Sequence, residues 1–195
     1  MRKSVIALGA VIALIGIGAA AIPFAEGVAA SRLKAGLAQN GVQVETVKVR
    51  LLDRSIELHG VAGGPNGELK IDEWQASGLA WPLDELLKGR LPFRGLNWGD
   101  PLHVARLHLR NFRLAEPDAG NSWTIGELTG TNIDLPRYDS NYDGPFRNEV
   151  MVARLLGALS VDRLEQSGST YTSLEQMTQS VSRLSLAGYV RGLID

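Results

Sequence analysis

The chain has 195 residues, with 20 basic and 21 acidic side chains and a net charge of −1. Its 45% hydrophobic and 21% charged residues are typical of a globular protein and exclude a disordered tail. The balanced charge argues against nucleic-acid binding, and the absence of cysteine excludes disulfides, thiolate catalysis and Cys-ligated metals.

The N-terminal segment is the most apolar part of the chain. After Arg2 and Lys3, the run Val5–Pro23 contains no charged residue, and about 20 helical residues cross a bilayer core of about 30 Å. We therefore predict a membrane anchor over residues 1–24, in preference to a signal peptide cleaved near Ala19–Ala21. The positive-inside rule then predicts a single-pass protein of the bacterial inner membrane, with the bulk of the chain in the periplasm.

A helix is predicted to follow the anchor. Ala29, Leu33 and Leu37 recur at helical spacing, and Asn40-Gly41 is a typical helix exit. We therefore predict a juxtamembrane helix over residues 25–41 and a β-rich periplasmic domain over residues 42–195.

Six segments of the remaining chain share one layout, in which alternating apolar and polar residues lead to Gly or Asn. Such alternation predicts strands that bury one face and expose the other. Gly or Asn at the end predicts a bulge or bend with positive φ. The segments are Ser55–Gly60, Glu73–Gly78, Arg106–Asn111, Glu127–Asn132, Arg163–Gly168 and Arg183–Gly188.

The spacing of these segments alternates between short and long. Short intervals predict hairpins, while the long ones leave room for helices over Pro82–Gly89 and Asn148–Gly157. Three hairpin units would stack edge to edge. The predicted fold class is α+β: a transmembrane helix, then a β-rich repeat of antiparallel hairpins with short connecting helices, curled into a sheet or groove.

The first 115 residues resemble the AsmA-like family of bacterial inner-membrane proteins. The resemblance is carried by the anchor and by the segments Gly41–Val49, Ser55–Val61, Gly67–Asp72 and Leu83–Gly89. It implies a periplasmic sheet curled into a groove whose apolar inside carries lipid chains. The chain is far shorter than members of that family generally are.

The apolar side of the strands has two interpretations: a groove that holds lipid, or an ordinary core beneath the connecting helices. The groove interpretation predicts a non-enzymatic protein of lipid handling or envelope maintenance, whose partners are membrane lipids and the inner membrane. The alternative is a structural subunit that binds a protein partner, or a second copy of itself, through sheet edges. The candidate lining residues are Ile56, Leu58, Trp74, Leu107, Leu109, Leu128, Leu164, Leu184 and Leu186.

No residue pattern indicates catalysis, a metal or a cofactor. Positions 103 and 108 differ by an odd number, so a strand would orient His103 and His108 to opposite faces and prevent them from forming a ligand pair. All three histidines, including His59, are expected on the solvent-exposed face. No serine lies in a nucleophile motif. Five aromatic side chains are expected in the core rather than as anchors of a partner or membrane: Trp81, Phe93, Trp98, Phe112 and Trp123.

One loop matches half of a calcium-binding motif. Asp139, Asn141 and Asp143 supply oxygen atoms at the first, third and fifth positions. Val150 stands where the bidentate Glu is required, and Pro145 distorts the seventh position. We interpret the segment as a solvated connector.

Overall fold

The computed structural model shows one sheet in which every strand pairs with its neighbour in sequence. It describes residues 22–39, 41–64, 68–80, 101–116, 120–137, 139, 141–145, 147–173 and 177–190. The sheet has seven antiparallel strands in the order β1-β2-β3-β4-β5-β6-β7. Their bounds are β1 Val42–Arg50, β2 Ser55–Gly63, β3 Leu69–Ser77, β4 Leu102–Glu116, β5 Asn121–Leu135, β6 Ser160–Thr172 and β7 Thr178–Val190.

The first described helix, α1 (residues 22–39), packs on one face of this sheet. Ala29, Leu33 and Leu37 form its buried side, and Leu33 is only 2% exposed. Full burial of one such leucine stabilises the fold by about 1.5–3 kcal/mol. The helical periodicity predicted from the sequence is therefore the periodicity of a core-facing helix.

Polar contacts fix α1 along β1. The Glu26 carboxylate accepts a hydrogen bond from the backbone N–H of Leu51 at 2.9 Å, and Lys34 Nζ donates to the carbonyl of Glu45 at 2.7 Å. Gly41, with φ +76°, donates its N–H to the Ala38 carbonyl at 3.1 Å. The helix thus ends where the sequence predicts, and the chain turns directly into β1.

One residue on each of the seven strands is left out of the paired register, and these residues lie side by side across the sheet. We call this line the first kink row. At each strand pair one of the two facing residues has positive φ: Gly60 at 62°, Asn111 at 51° or Gly168 at 62°. A left-handed residue inside a strand displaces the side-chain alternation by one position. The row consists of Glu45, Gly60, Asp72, Asn111, Gly126, Gly168 and Ser182.

A second kink row crosses β4 to β7 and includes Gly78, which directly follows β3. Its positive-φ residues are Gly78 at 63°, Asn132 at 47° and Gly188 at 66°. The row consists of Gly78, Ala105, Asn132, Asp162 and Gly188. The positive φ predicted for the six marker residues is confirmed at every one of them.

The kinks keep the apolar residues of long strands on one face. Across a kink, successive inward-facing residues are three positions apart in sequence, as Leu109 and Phe112 are. In an unbroken strand they would be two or four positions apart. In the described chain, the residues with positive φ are glycines, two asparagines and Arg54. The Asn111 amide donates to the Asp72 carboxylate opposite it at 2.7 Å, which holds this backbone conformation in place.

The predicted α+β class is wrong, because the described chain is one continuous β-meander rather than a series of hairpin-and-helix units. Its described residues form only two helices, α1 and α2 (Arg147–Ala158). The second fulfils the prediction over Asn148–Gly157, while Pro82–Gly89 lies outside the described residues.

The predicted single-pass inner-membrane localisation is also contradicted. Among the described residues, no helix combines the length and the apolar character that a membrane crossing requires. The α1 segment carries Glu26, Arg32 and Lys34, and its apolar side faces the protein's own sheet. Residues 1–21, which make up most of the predicted anchor, lie outside the described residues.

Candidate functional site: an apolar sheet face open at one end

The nine candidate lining residues share one face of the sheet. They occupy two neighbouring registers between the kink rows, and directly paired residues of antiparallel strands point to the same side. One register contains Leu58, Trp74, Leu109, Leu128, Gln166 and Leu184, and the other contains Ile56, Ala76, Leu107, Gly130, Leu164 and Leu186. Gln166 is the one polar residue in these two registers.

The burial of this face changes from one end of the sheet to the other. Ile56, Leu58 and Leu109 are buried in the cluster that α1 covers or at its border, and Trp74 and Leu107 pack against that cluster. Leu128 and Leu164 are half-buried, whereas Leu184 is 56% and Leu186 36% exposed. One end of this apolar face is therefore part of the core that includes α1, whereas the other end is exposed.

We call the uncovered end the open apolar surface. Two members were not predicted as lining residues: Val181 on β7 is 46% exposed, and Trp123 on β5 is 48% exposed. The Trp123 ring is perpendicular to that of Phe112, with centroids 6.4 Å apart. The surface consists of Trp123, Leu128, Leu164, Val181, Leu184 and Leu186.

The prediction that Trp123 belongs to the core is wrong. Its alternation pattern places it on the apolar face, but it lies outside the buried cluster that contains α1 and is 48% exposed. Phe112 is half-buried, and Trp81, Phe93 and Trp98 lie outside the described residues. Periodicity reveals which face a residue occupies, and what covers that face depends on the tertiary structure.

The opposite face carries charged side chains that pair across strands. Glu57 accepts a hydrogen bond from Lys48 Nζ at 2.8 Å and contacts His59. Arg110 pairs with Glu73 at 3.3 Å. The Lys48 hydrogen bond, followed by that of His59, lowers the pKa of the Glu57 carboxyl below its ordinary value of 4.5.

A shallow depression of about 230 Å³ lies on this polar face between β5, β6 and β7. It is lined by Glu127, Glu165, Arg183 and their neighbours. Arg163 and Arg183 donate to Glu165 Oε1 at 2.6 and 2.9 Å, and these bonds lower the pKa of that carboxyl. Because its central carboxylate is already paired, the depression offers little for binding a charged ligand.

The expectation that all three histidines lie on the solvent-exposed face is confirmed, whereas the expectation that His103 and His108 face opposite sides is wrong. His103 and His108 both lie on the polar face, because the kink at Ala105 displaces the alternation between them. His103 Nδ1 is 3.3 Å from Asp134, and His108 Nε2 is 3.0 Å from Glu127. Within the described ranges, no group of three or more His, Asp or Glu side chains could hold a metal ion.

The half-matching calcium loop is held by an arginine. Arg154 of α2 donates to the carboxylate of Asp139 at 3.1 Å and to its carbonyl at 3.0 Å, and lies over the Tyr142 ring. The backbone N–H of Asn141 donates to Asp139 Oδ1 at 2.9 Å. The guanidinium thus occupies oxygen atoms that a cation would need.

The open apolar surface is therefore the strongest candidate for a binding site in the described part of the chain. A large uncovered apolar patch on a folded protein marks an interaction site. Comparison with known proteins does not identify that ligand or support the AsmA-like resemblance: no family model, no curated protein and no solved structure matches this chain.

Proposed function

We propose that this protein handles lipid without catalysing a reaction, by binding acyl chains on the open apolar surface. The observation that carries the proposal is the uneven cover of one continuous apolar face. The β1 to β4 end is closed by α1, while Val181, Leu184 and Leu186 on β7 remain more than one-third exposed. The described residues thus complete a core at one end of this face and leave the other end exposed.

The surface has the chemistry that an acyl chain requires. Its leucine, valine and tryptophan side chains offer dispersion contacts without specific hydrogen bonds. Acyl chains need no directional partner, and the half-buried Gln166 is the one polar side chain in its central registers. The charged groups are segregated on the opposite face, where they pair with one another.

The affinity can be bounded from the burial of methylene groups. A fully buried CH₂ gains about 0.8 kcal/mol, and an open surface covers roughly one side of the chain, so about half of that gain is realised. Fourteen methylenes would thus contribute about 6 kcal/mol before the cost of ordering the chain. A second chain on the same lipid adds a similar amount, so a diacyl lipid should bind at least about 100-fold more tightly than its single-chain counterpart.

The test is extraction of lipid from the purified full chain, followed by mass spectrometry. The expected result is phospholipid in stoichiometric amount. Leu184→Asp and Trp123→Asp should each lower lipid retention several-fold, because both place a charge on the exposed apolar face. Ser180→Asp, a substitution on the polar side of β7, is the matched control and should retain lipid as the unmodified chain does.

Lipid-free protein from a lipid-replete source would contradict the proposal, as would equal retention by Leu184→Asp and the control. Lipid-free protein that copurifies with one defined protein would instead favour the alternative, an interaction subunit that uses its sheet edges. The observation that favours this alternative is the free edge of β7.

A further inference from the structure

In the described part of the chain, the outer edge of β7 pairs with no other strand. The strand is 13 residues long, and every residue except Tyr189 is exposed. It contains no proline and no lysine, and its one charged residue, Arg183, is bonded to Glu165 of β6. Edge strands of natural proteins are usually short, kinked by proline or charged, because unpaired N–H and C=O groups recruit another strand.

The opposite edge of the sheet is protected. On β1, Glu45, Lys48 and Arg50 are exposed charged residues, and the Lys34 ammonium occupies the Glu45 carbonyl. The β7 edge is therefore the one that fits a partner strand, and the best fit is a second β7.

The kink residues specify how two β7 strands match. Ser182 belongs to the first kink row and Gly188 to the second. In an antiparallel pair centred on Ser185, each copy's Ser182 faces the other copy's Gly188. Both kink rows then continue across the junction.

The alternation of positive φ also continues. In the first row the left-handed residues lie on β2, β4 and β6, and the next strand would supply Gly188. In the second row the left-handed residues are Gly78, which follows β3, and residues on β5 and β7. The β7 strand of the second copy would add Ser182 to this row, and Ser182 has no positive φ, so the alternation is kept. No other antiparallel register of β7 with itself aligns both rows at once.

This register also matches the side chains. Leu184 of each copy faces Leu186 of the other, so both apolar registers extend into the second copy. On the polar face, Arg183 faces Ala187 of the other copy. The two Arg183 side chains are then four positions apart along the strands, about 13 Å, which avoids repulsion between like charges.

We propose that two copies of this chain pair through β7, antiparallel and around a two-fold axis at Ser185, so that their seven-stranded sheets form one continuous sheet. The open apolar surfaces of the two copies become contiguous on one side of that sheet. The pairing itself does not depend on lipid binding.

The test uses single cysteines in the full chain, which has none of its own. In Ser185→Cys the two thiols meet at the axis, within disulfide reach. In the matched variant Ser180→Cys, on the same face of the same strand, the thiols are ten positions apart, about 33 Å. After removal of lipid, oxidation or a short bismaleimide should convert most of Ser185→Cys to covalent dimer and leave Ser180→Cys largely uncrosslinked.

Light scattering of the unmodified, delipidated chain should give twice the monomer mass of 21.0 kDa. A monomer mass would overturn the proposal, and so would equal crosslinking at positions 180 and 185, or none at 185. Because lipid is absent from the sample, failure of the lipid-handling function would leave these outcomes unchanged.

Discussion

Replacing Gly78 with alanine tests the kink rows, which organise the whole sheet. Gly78 has φ +63°, and a Cβ added there would lie 2.4 Å from the Cβ of Ala105 on β4. A left-handed conformation costs a non-glycine residue about 1–2 kcal/mol. The collision adds about 1–3 kcal/mol, since neither Cβ is at the end of a flexible side chain. The lower entropy of the unfolded chain returns about 0.4–1 kcal/mol.

The expected loss in the free energy of unfolding is therefore about 2–4 kcal/mol. Gly168→Ala is the matched control, because its φ is +62° and an added Cβ would make only ordinary van der Waals contacts, 3.7 Å or more from Gly126. It should lose only about 1 kcal/mol. The double variant Gly78→Ala with Ala105→Gly removes the collision and should recover part of the stability relative to Gly78→Ala alone.

Urea unfolding followed by tryptophan fluorescence measures these differences. With a slope of about 1–3 kcal/mol per molar urea, Gly78→Ala should lower the midpoint by about 1–2 M. Equal midpoints for Gly78→Ala and Gly168→Ala would refute this explanation, because the close approach of Gly78 and Ala105 at the kink would then contribute nothing to stability.

Three further predictions concern the side-chain register, the kink at position 111 and an ion pair on the polar face. Leu107→Asp should destabilise the fold by at least about 3 kcal/mol in urea unfolding, whereas the neighbouring and exposed Arg106→Asp should change it by less than about 0.5 kcal/mol; equal effects would refute the side-chain register. At position 111 glycine should preserve stability better than alanine, because φ there is +51°; thermal unfolding that ranks alanine above glycine would contradict this. The lowered pKa of Glu57 means that its bond to Lys48 stabilises the fold above pH 4.5 and loses that contribution as the pH falls through the folded-state pKa. Glu57→Gln should therefore show a smaller loss of Tm below pH 4.5 than the unmodified chain, and parallel pH profiles would exclude this role.

The positions of the bends could be predicted from the sequence because backbone sterics restrict positive φ to few residue types. Gly60 and Asn132 are recognisable as such positions wherever they interrupt an alternating strand. Their facing residues carry no such signature. Ala105 looks like any other strand residue, and this is why the sequence misplaced His103 relative to His108.

The extent of the core could not be predicted from the sequence. Leu58 and Leu184 stand in equivalent strand patterns and in the same register, yet one is 8% exposed and the other 56%. Leu58 belongs to the buried cluster that contains Ala29, Leu33 and Leu37 of α1, whereas Leu184 lies outside it. An alternating pattern indicates the face of the sheet on which a side chain lies. Whether that face is buried depends on elements that are distant in the sequence.

The central claim is that acyl chains occupy the open apolar surface, and photolabelling tests it most directly. A phosphatidylcholine with a diazirine in one acyl chain is incubated with the full chain, irradiated, and the labelled residues are identified by peptide mass spectrometry. Labels are expected on Trp123, Leu184 and Leu186 and none on Ile56, which is buried in the cluster that contains α1. Labels spread equally over the polar face, or no labelling of β5 to β7, would contradict it.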